Sequence, residues 1–196
     1  MKRLLIIVFF ILLVLLTSSC IINKHYYEYY ETYLPDINEY ENISKDEFEE
    51  YFFDNIYFSL LSHSSRYYPE KIRESGPFKL RLYCITTKSI YKKVIIEEME
   101  IESSLGNQYS SETQIGRQHS FQYYYTNKEN IKYYNTISDW SKPNVFNFDH
   151  KNGEVLTVKF RVAIYDYDNN IYYKNLKFIL YPKTKISYLE LITDLF

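Results

Sequence analysis

The side chains in this chain that could do chemistry are scattered, and most have a simpler use. Glu97 and Glu98 are adjacent, and two carboxylates can serve as acid and base in a hydrolysis once folding brings them close. Neighbouring residues on a strand point to opposite faces, however, so this pair reads as a solvated edge. A hydrolytic site would have to be gathered by folding from acids such as Glu97, Asp139 and Asp166. The run Asp166-Tyr167-Asp168-Asn169-Asn170 has acids at alternate positions, as a calcium loop does. Ile171 then stands where that loop needs glycine, and Lys177 where it needs a bidentate glutamate, so the run reads as a turn. The histidines His25, His63, His119 and His150 fall in four different expected elements, without the close spacing of a zinc site. Cys84 sits on the apolar side of an expected strand and reads as a small core residue, with no nucleophile elbow elsewhere. The expectation is a chain without a catalytic residue, metal or cofactor, and not an enzyme.

A different cysteine carries the clearest signal. Lys2 and Arg3 precede the apolar run Leu4 to Leu16, followed by Thr17-Ser18-Ser19-Cys20. The run falls short of the ~20 residues that cross a bilayer and suits the apolar region of a cleaved export signal. The segment resembles a bacterial lipoprotein signal peptide with a relaxed lipobox: Ser18 and Ser19 meet the small-residue requirement, and Thr17 stands where leucine is commonest. The resemblance covers these twenty residues only. It implies cleavage between Ser19 and Cys20, attachment of diacylglycerol to the Cys20 thiol, and acyl chains such as palmitate that hold the chain on a membrane of the bacterial cell envelope, periplasmic or surface side. Each buried methylene contributes ~0.8 kcal/mol, so two or three chains make a lasting anchor.

Composition fits one exported domain. Loss of residues 1–19 removes Lys2 and Arg3 and no acid, making the formal net charge of −2 more negative by two, which argues against a nucleic-acid partner. The remaining ~180 residues suffice for one domain with a buried core. With Cys20 acylated only Cys84 is left, so no intrachain disulfide can form and packing must supply stability. The abundance of tyrosine, 24 residues, favours a half-buried pleated surface where the ring packs and the hydroxyl reaches water.

The expected organisation is a signal at 1–19, the modified cysteine and a tether at 20–43, and one folded domain at 44–196. Pro35 would break any helix in the tether, whose tyrosines either contact a partner or the membrane interface, or dock on the domain. Ser44 and Glu47 form a capping box before Phe48, Phe52, Ile56 and Leu60, which predicts an amphipathic helix to about His63, with Pro69 in the exit loop. Alternation then predicts strands. Phe78, Leu80, Leu82 and Cys84 face inward on one; Tyr91 to Ser103 needs a bulge at Glu97-Glu98 to keep phase; Phe121, Tyr123 and Tyr125 mark a third; Ile131 to Ile137 is weaker. Between them, Leu105 to Gln118 is a polar loop, and an inhibitor would present it as a protrusion. Phe146, Phe148 and His150 alternate up to Asn152-Gly153, predicting a hairpin into the strand of Leu156, Val158, Phe160, Val162 and Ile164. A last strand carries Leu176, Phe178 and Leu180 and ends at Pro182, and Ile186 to Phe196 forms a short helix or a further strand. The sum is a mainly β chain: an antiparallel β-sandwich, immunoglobulin-like or similar, with one amino-terminal helix and a possible short carboxy-terminal one. Two function classes remain. One is a non-catalytic binding or structural module held at the membrane by its lipid, with a protein or glycan partner; the other is a cell-envelope hydrolase using carboxylates.

Overall fold

The computed structural model describes residues 23–64, 68–69, 76–138 and 145–189. Ser19, Cys20, Asp139 and the segment 190–196 lie outside them. The chain divides into two units, one of Met1–Tyr27, Tyr67–Glu74 and Thr184–Phe196, the other of Glu28–Arg66 and Ser75–Lys183. In the first unit the described residues are strand: His25 and Tyr26 of β1 (Asn23–Glu31) pair with Pro69 and Tyr68 of β4 (Tyr68–Pro69).

The second unit holds the core. After β1 come β2 (Phe52–Phe53), β3 (Ile56–Ser64), β5 (Phe78–Thr86), β6 (Tyr91–Ser103), β7 (Gln118–Thr126), β8 (Lys132–Ser138), β9 (Leu156–Asp166) and β10 (Ile171–Leu189). The hydrogen-bonded order is β2-β3-β5-β8-β7-β6-β9-β10-β1-β4, and β1 also pairs with β3 at Tyr29↔His63 and Tyr30↔Ser62. Every pair with a resolved register is antiparallel. The expected mainly β, antiparallel architecture is present.

Alternation was a sound guide on β5, β9 and β10 but not on β7, where Phe121 is buried and Tyr123 exposed because the register shifts between Tyr123 and Tyr125. Phe78, Leu80, Leu82 and Cys84 are buried on β5, and so are Leu156, Val158, Phe160, Val162 and Ile164 on β9 and Leu176, Phe178 and Leu180 on β10. The bulge on β6 falls between Ile96 and Glu98 in its register with β9, where the change of phase required it. It turns both glutamates to one partner, with Arg161 Nη1 3.1 Å from Glu98 Oε1 and Nε 3.7 Å from Glu97 Oε2. The pair is solvated as expected but does not form an edge, because β6 lies between β7 and β9.

The expected helix over 44–63 does not form. Ser44 does cap a turn, its Oγ accepting from the Glu47 N–H at 3.3 Å and its carbonyl from the Phe48 N–H at 3.1 Å. A short 3₁₀ turn at Glu49–Tyr51 follows, then the β2–β3 hairpin. Asp54 and Asn55 make its two-residue turn, with Asp54 at φ +51°, a conformation aspartate tolerates. Beyond it Ile56, Tyr57, Phe58, Ser59 and Leu60 are all buried. A run buried on both faces has no strict alternation, and the spacing of its apolar residues imitates a helical stripe.

Other differences have equally local causes. From Asn23 the expected tether is strand β1, because its tyrosines supply a β-forming row that pairs with β3 and β4. Pro69 lies in β4 and not in an exit loop. Pro182 does not end β10, which continues through Leu189: pairing with β9 stops at Leu180↔Leu156, so the missing N–H breaks no bond of that ladder. Ile186 to Leu189 is accordingly strand and not helix. Phe146 and Phe148 are buried, but Phe146 bridges to Phe78 and not to β9. The Asn152-Gly153 signal serves a 3₁₀ turn at His150–Asn152, with Gly153 left-handed at φ +73° as its carboxy-terminal cap.

Glu154, fully buried, locks that turn to the end of β6. Its carboxylate accepts from Ser103 Oγ, from Asn107 Nδ2 at 3.0 Å, from the Tyr109 hydroxyl at 2.7 Å and from the Asp149 N–H at 2.6 Å. Four donors offset the cost of taking the carboxylate out of water. Glu154→Ala removes the shared acceptor of these part-buried donors, of which Asn107 is exposed to water, and should destabilise the fold by about 2 kcal/mol. A denaturant titration of both chains measures the loss, and a change below about 1 kcal/mol would remove the clamp from the account.

Candidate functional site

Of the acids expected to gather, the two among the described residues, Glu97 and Asp166, are not brought together. Glu97 engages Arg161 in the middle of β9, and Asp166 ends the same strand. Five residue steps along β9, from Arg161 to Asp166, separate the two positions, roughly 17 Å of strand. Asp166 builds the β9–β10 turn: Oδ1 accepts from the Asn170 N–H and Oδ2 from Asn170 Nδ2, each at 2.8 Å, with Asn169 left-handed at φ +64°. Cys84 is buried, its burial pushes the thiol well up from its ordinary value, and its N–H donates to Thr136 Oγ1 at 3.0 Å. His119 and His150 are buried in different places. His150 stacks on Phe78 at 5.6 Å, donates from Nε2 to the Lys183 carbonyl at 2.9 Å and has Nδ1 3.8 Å from Glu28 Oε1. Tyr30 packs edge-on against that imidazole, and its hydroxyl is pushed up by burial and then by Glu154. The group is a packed interior. Leu105 to Gln118 hugs β6: the Gly116 N–H donates to the Ile96 carbonyl at 2.7 Å, the Ile96 N–H to the Arg117 carbonyl at 3.1 Å, and Gln114 and Arg117 are buried.

Among the described residues several hollows open at the surface, one of about 240 Å³ among Leu34, Phe48, Tyr51 and Tyr181 and two larger ones. The first of the larger two, about 510 Å³, lies over the rung Met99–Phe160–Leu176 of β6, β9 and β10, walled by outward residues on either side of that rung, with Glu50 at the rim. Two of its three bases are engaged in ion pairs, Lys159 with Glu100 and Glu102 and Arg161 with Glu97 and Glu98, and Lys177 is the third. That is a cross-strand charge ladder, a sufficient reason for those residues.

The second hollow, about 500 Å³, is lined by Glu41, Asn42, Tyr124 and Tyr125. Its construction begins with Tyr57, whose ring is wholly buried on the side of β3 opposite Ile56 and Phe58. There Tyr57 packs with Phe52, Ile85 and Tyr133 under Tyr40, Ile43 and Phe48, a second apolar cluster outside the main core. Tyr40 stands edge-on to Tyr133 at 5.7 Å and donates its hydroxyl to the Asn55 carbonyl at 2.8 Å. It belongs to the 3₁₀ turn Ile37–Asn42, so fixing Tyr40 fixes its neighbours Glu41 and Asn42.

Strands β7 and β8 bring the rings. Register slips between Tyr123 and Tyr125, the former opposite Tyr134 and the latter opposite Tyr133. Tyr125 stacks on Tyr133 with centroids 4.5 Å apart and planes 4° from parallel, and Tyr124 meets Tyr125 edge-on at 5.1 Å. The Tyr125 hydroxyl donates to Glu41 Oε1 at 3.1 Å. Burial first and Glu41 next push that phenol up to about 12, so it remains a donor at neutral pH. Tyr123 and Tyr124 are left 60 % and 46 % exposed. The result is a ledge of aromatic faces beside a carboxylate and a carboxamide held in place. Sequence reading missed it because Glu41 and Asn42 were assigned to the tether; the one available signal was the run Tyr123-Tyr124-Tyr125, too long for alternation without a bulge.

The Asp166 turn makes a pH prediction. The Asn170 carboxamide first, and then the Asn170 and Asp168 backbone, hold its carboxyl below the usual carboxylate range. A depressed folded value contributes stability above the unfolded value of ~3.9 that is lost as pH falls through the folded one. Asp166→Asn should therefore lower thermal stability at neutral pH and flatten its decline below about pH 4. Melting curves across that range check it, and a mutant declining as steeply as wild type would contradict it.

No family model, curated protein or solved structure matches this chain.

Proposed function

We propose that this protein is a lipid-anchored module of the bacterial cell envelope, non-catalytic, which holds a partner on the tyrosine ledge. The anchor is Cys20, following the small residues Ser18 and Ser19 after a basic start and an apolar run. Above it stands the antiparallel domain with its strands layered as a sandwich. The antiparallel pairing supports that layering, and so do residues 87–90, which carry the chain from β5 to β6 although the two are not neighbours.

The single observation behind the binding reading is the preorganisation of the ledge. Tyr125 is fixed by stacking and by its hydrogen bond to Glu41, so little side-chain entropy is left to lose when a partner arrives. A hydrolase using Glu97 and Asp166 finds no comparable support, since both carboxylates already have structural partners.

The anchor is tested by intact mass and detergent partitioning of wild type and Cys20→Ala, expressed in a bacterium that acylates lipoproteins. Wild type should be cut before Cys20, gain acyl mass and enter the detergent phase, and the variant should do none of these. Identical behaviour of the two chains would remove the anchor.

A further inference from the structure

We infer that the hollow of about 240 Å³ is a second site, which binds a small quaternary ammonium compound such as choline. It shares no lining residue with the ledge and does not depend on it. Three stretches meet there: residues 32–34 after β1, the turn from Glu47 to Tyr51, and β10 from Phe178 to Tyr181. Half of the lining residues, Tyr33, Phe48, Tyr51, Phe178 and Tyr181, are aromatic, and the charged ones are Glu47 and Glu50 with no base among them. Aromatic rings attract a cation through their quadrupole, and carboxylates at the same place add to that attraction. The lining therefore selects for positive charge.

The chemistry of the lining narrows the cation. A primary ammonium or a guanidinium is a hydrogen-bond donor that must replace the water it gives up. Neutral acceptors are few: Thr32 Oγ1 already takes the Leu34 N–H at 3.3 Å. Glu50 takes the Tyr51 hydroxyl, which burial first and then this carboxylate push up to about 12, so that phenol stays a donor at neutral pH. A quaternary ammonium group has no N–H and presents methyl groups, which pack on rings and on Leu34 and Ile179 without leaving a donor unpaired. The volume lies below the ~300 Å³ at which drug-sized sites begin, and suits so small a ligand.

The walls are held before a ligand arrives. The rings of Tyr33 and Tyr181 are 4.7 Å apart and those of Tyr51 and Phe178 5.3 Å. Ser44 caps the turn that carries Glu47, and the Tyr57 hydroxyl holds the Pro35 carbonyl just after Leu34. Tyr33, 78 % exposed, leaves the hollow open to solution. The two carboxylates disfavour a phosphate, so the free compound is favoured over a lipid head group.

The test is calorimetric titration of the full chain in a nonionic detergent, at constant ionic strength, with choline, ethanolamine and glycerophosphocholine. Choline should bind saturably and about tenfold or more tighter than ethanolamine, which keeps the hydroxyethyl arm on a primary ammonium. Tyr33→Ala and Glu47→Gln, both at exposed positions, should each weaken choline about fivefold. Tyr33→Phe, which keeps the ring, should bind like wild type, and so should Tyr167→Ala on the β9–β10 turn. Absence of saturable choline binding, ethanolamine bound as tightly, or binding indifferent to Tyr33→Ala would overturn the assignment. Glycerophosphocholine decides the source within a supported site: weaker binding than choline marks the free compound, and equal or tighter binding marks a lipid head group.

Discussion

A strand buried on both faces governs this structure. On β3 the side chains of Ile56, Phe58 and Leu60 fill the main core, while Tyr57 between them points the other way and is just as buried. Water must be kept from that second side, and the residues that do it are Tyr40, Ile43 and Phe48, from the stretch between β1 and β2. Covering Tyr57 accounts for the course of this stretch, for the Tyr57 hydroxyl donating to the Pro35 carbonyl at 2.9 Å, and for the position of Glu41 and Asn42 next to β7. Burying a tyrosine ring is worth about 2 kcal/mol or more, and leaving its hydroxyl unpaired would cancel much of that. Packing and the candidate site are thus one arrangement.

The same logic divides the polar residues into those enclosed by the fold and those at its surface. Glu154, Asp166, Glu97 and Glu98 each have a partner that explains them: four converging donors, a turn, and one arginine at a bulge. Glu41 differs, because it is exposed and its carboxylate is engaged by the hydroxyls of Tyr125 and Tyr133 at the protein surface. Tyr124 is also partly exposed, its ring nearly perpendicular to that of Tyr125.

How much of this the sequence disclosed depends on how many faces a segment buries. Strands β5, β9 and β10 bury one face cleanly, and their inward residues could be read in advance. The bulge at Glu97-Glu98 was legible too, because a change of parity has a single economical explanation. Tyr57 was not legible, because apolar residues at consecutive positions fit a helix or a doubly buried strand equally well, and the capping pair Ser44 and Glu47 tipped the choice. Gly153 announced a left-handed residue but not the element it terminates. The ledge was hidden for a stronger reason: Glu41 and Tyr125 meet only through tertiary packing, and no local pattern encodes a pair 84 positions apart.

The dependence of the ledge on the cover over Tyr57 is most directly tested by peptide-resolved hydrogen exchange on wild type and Tyr40→Ala. Loss of that ring should accelerate exchange in residues 37–42, in β2 and β3 and in the paired ends of β7 and β8, and leave β9 and the β10 segment paired with it as protected as before. If protection around Tyr124, Tyr125 and Tyr133 is unchanged while residues 37–42 open, the ledge stands without the cover. The link between the second apolar cluster and the binding surface would then be wrong.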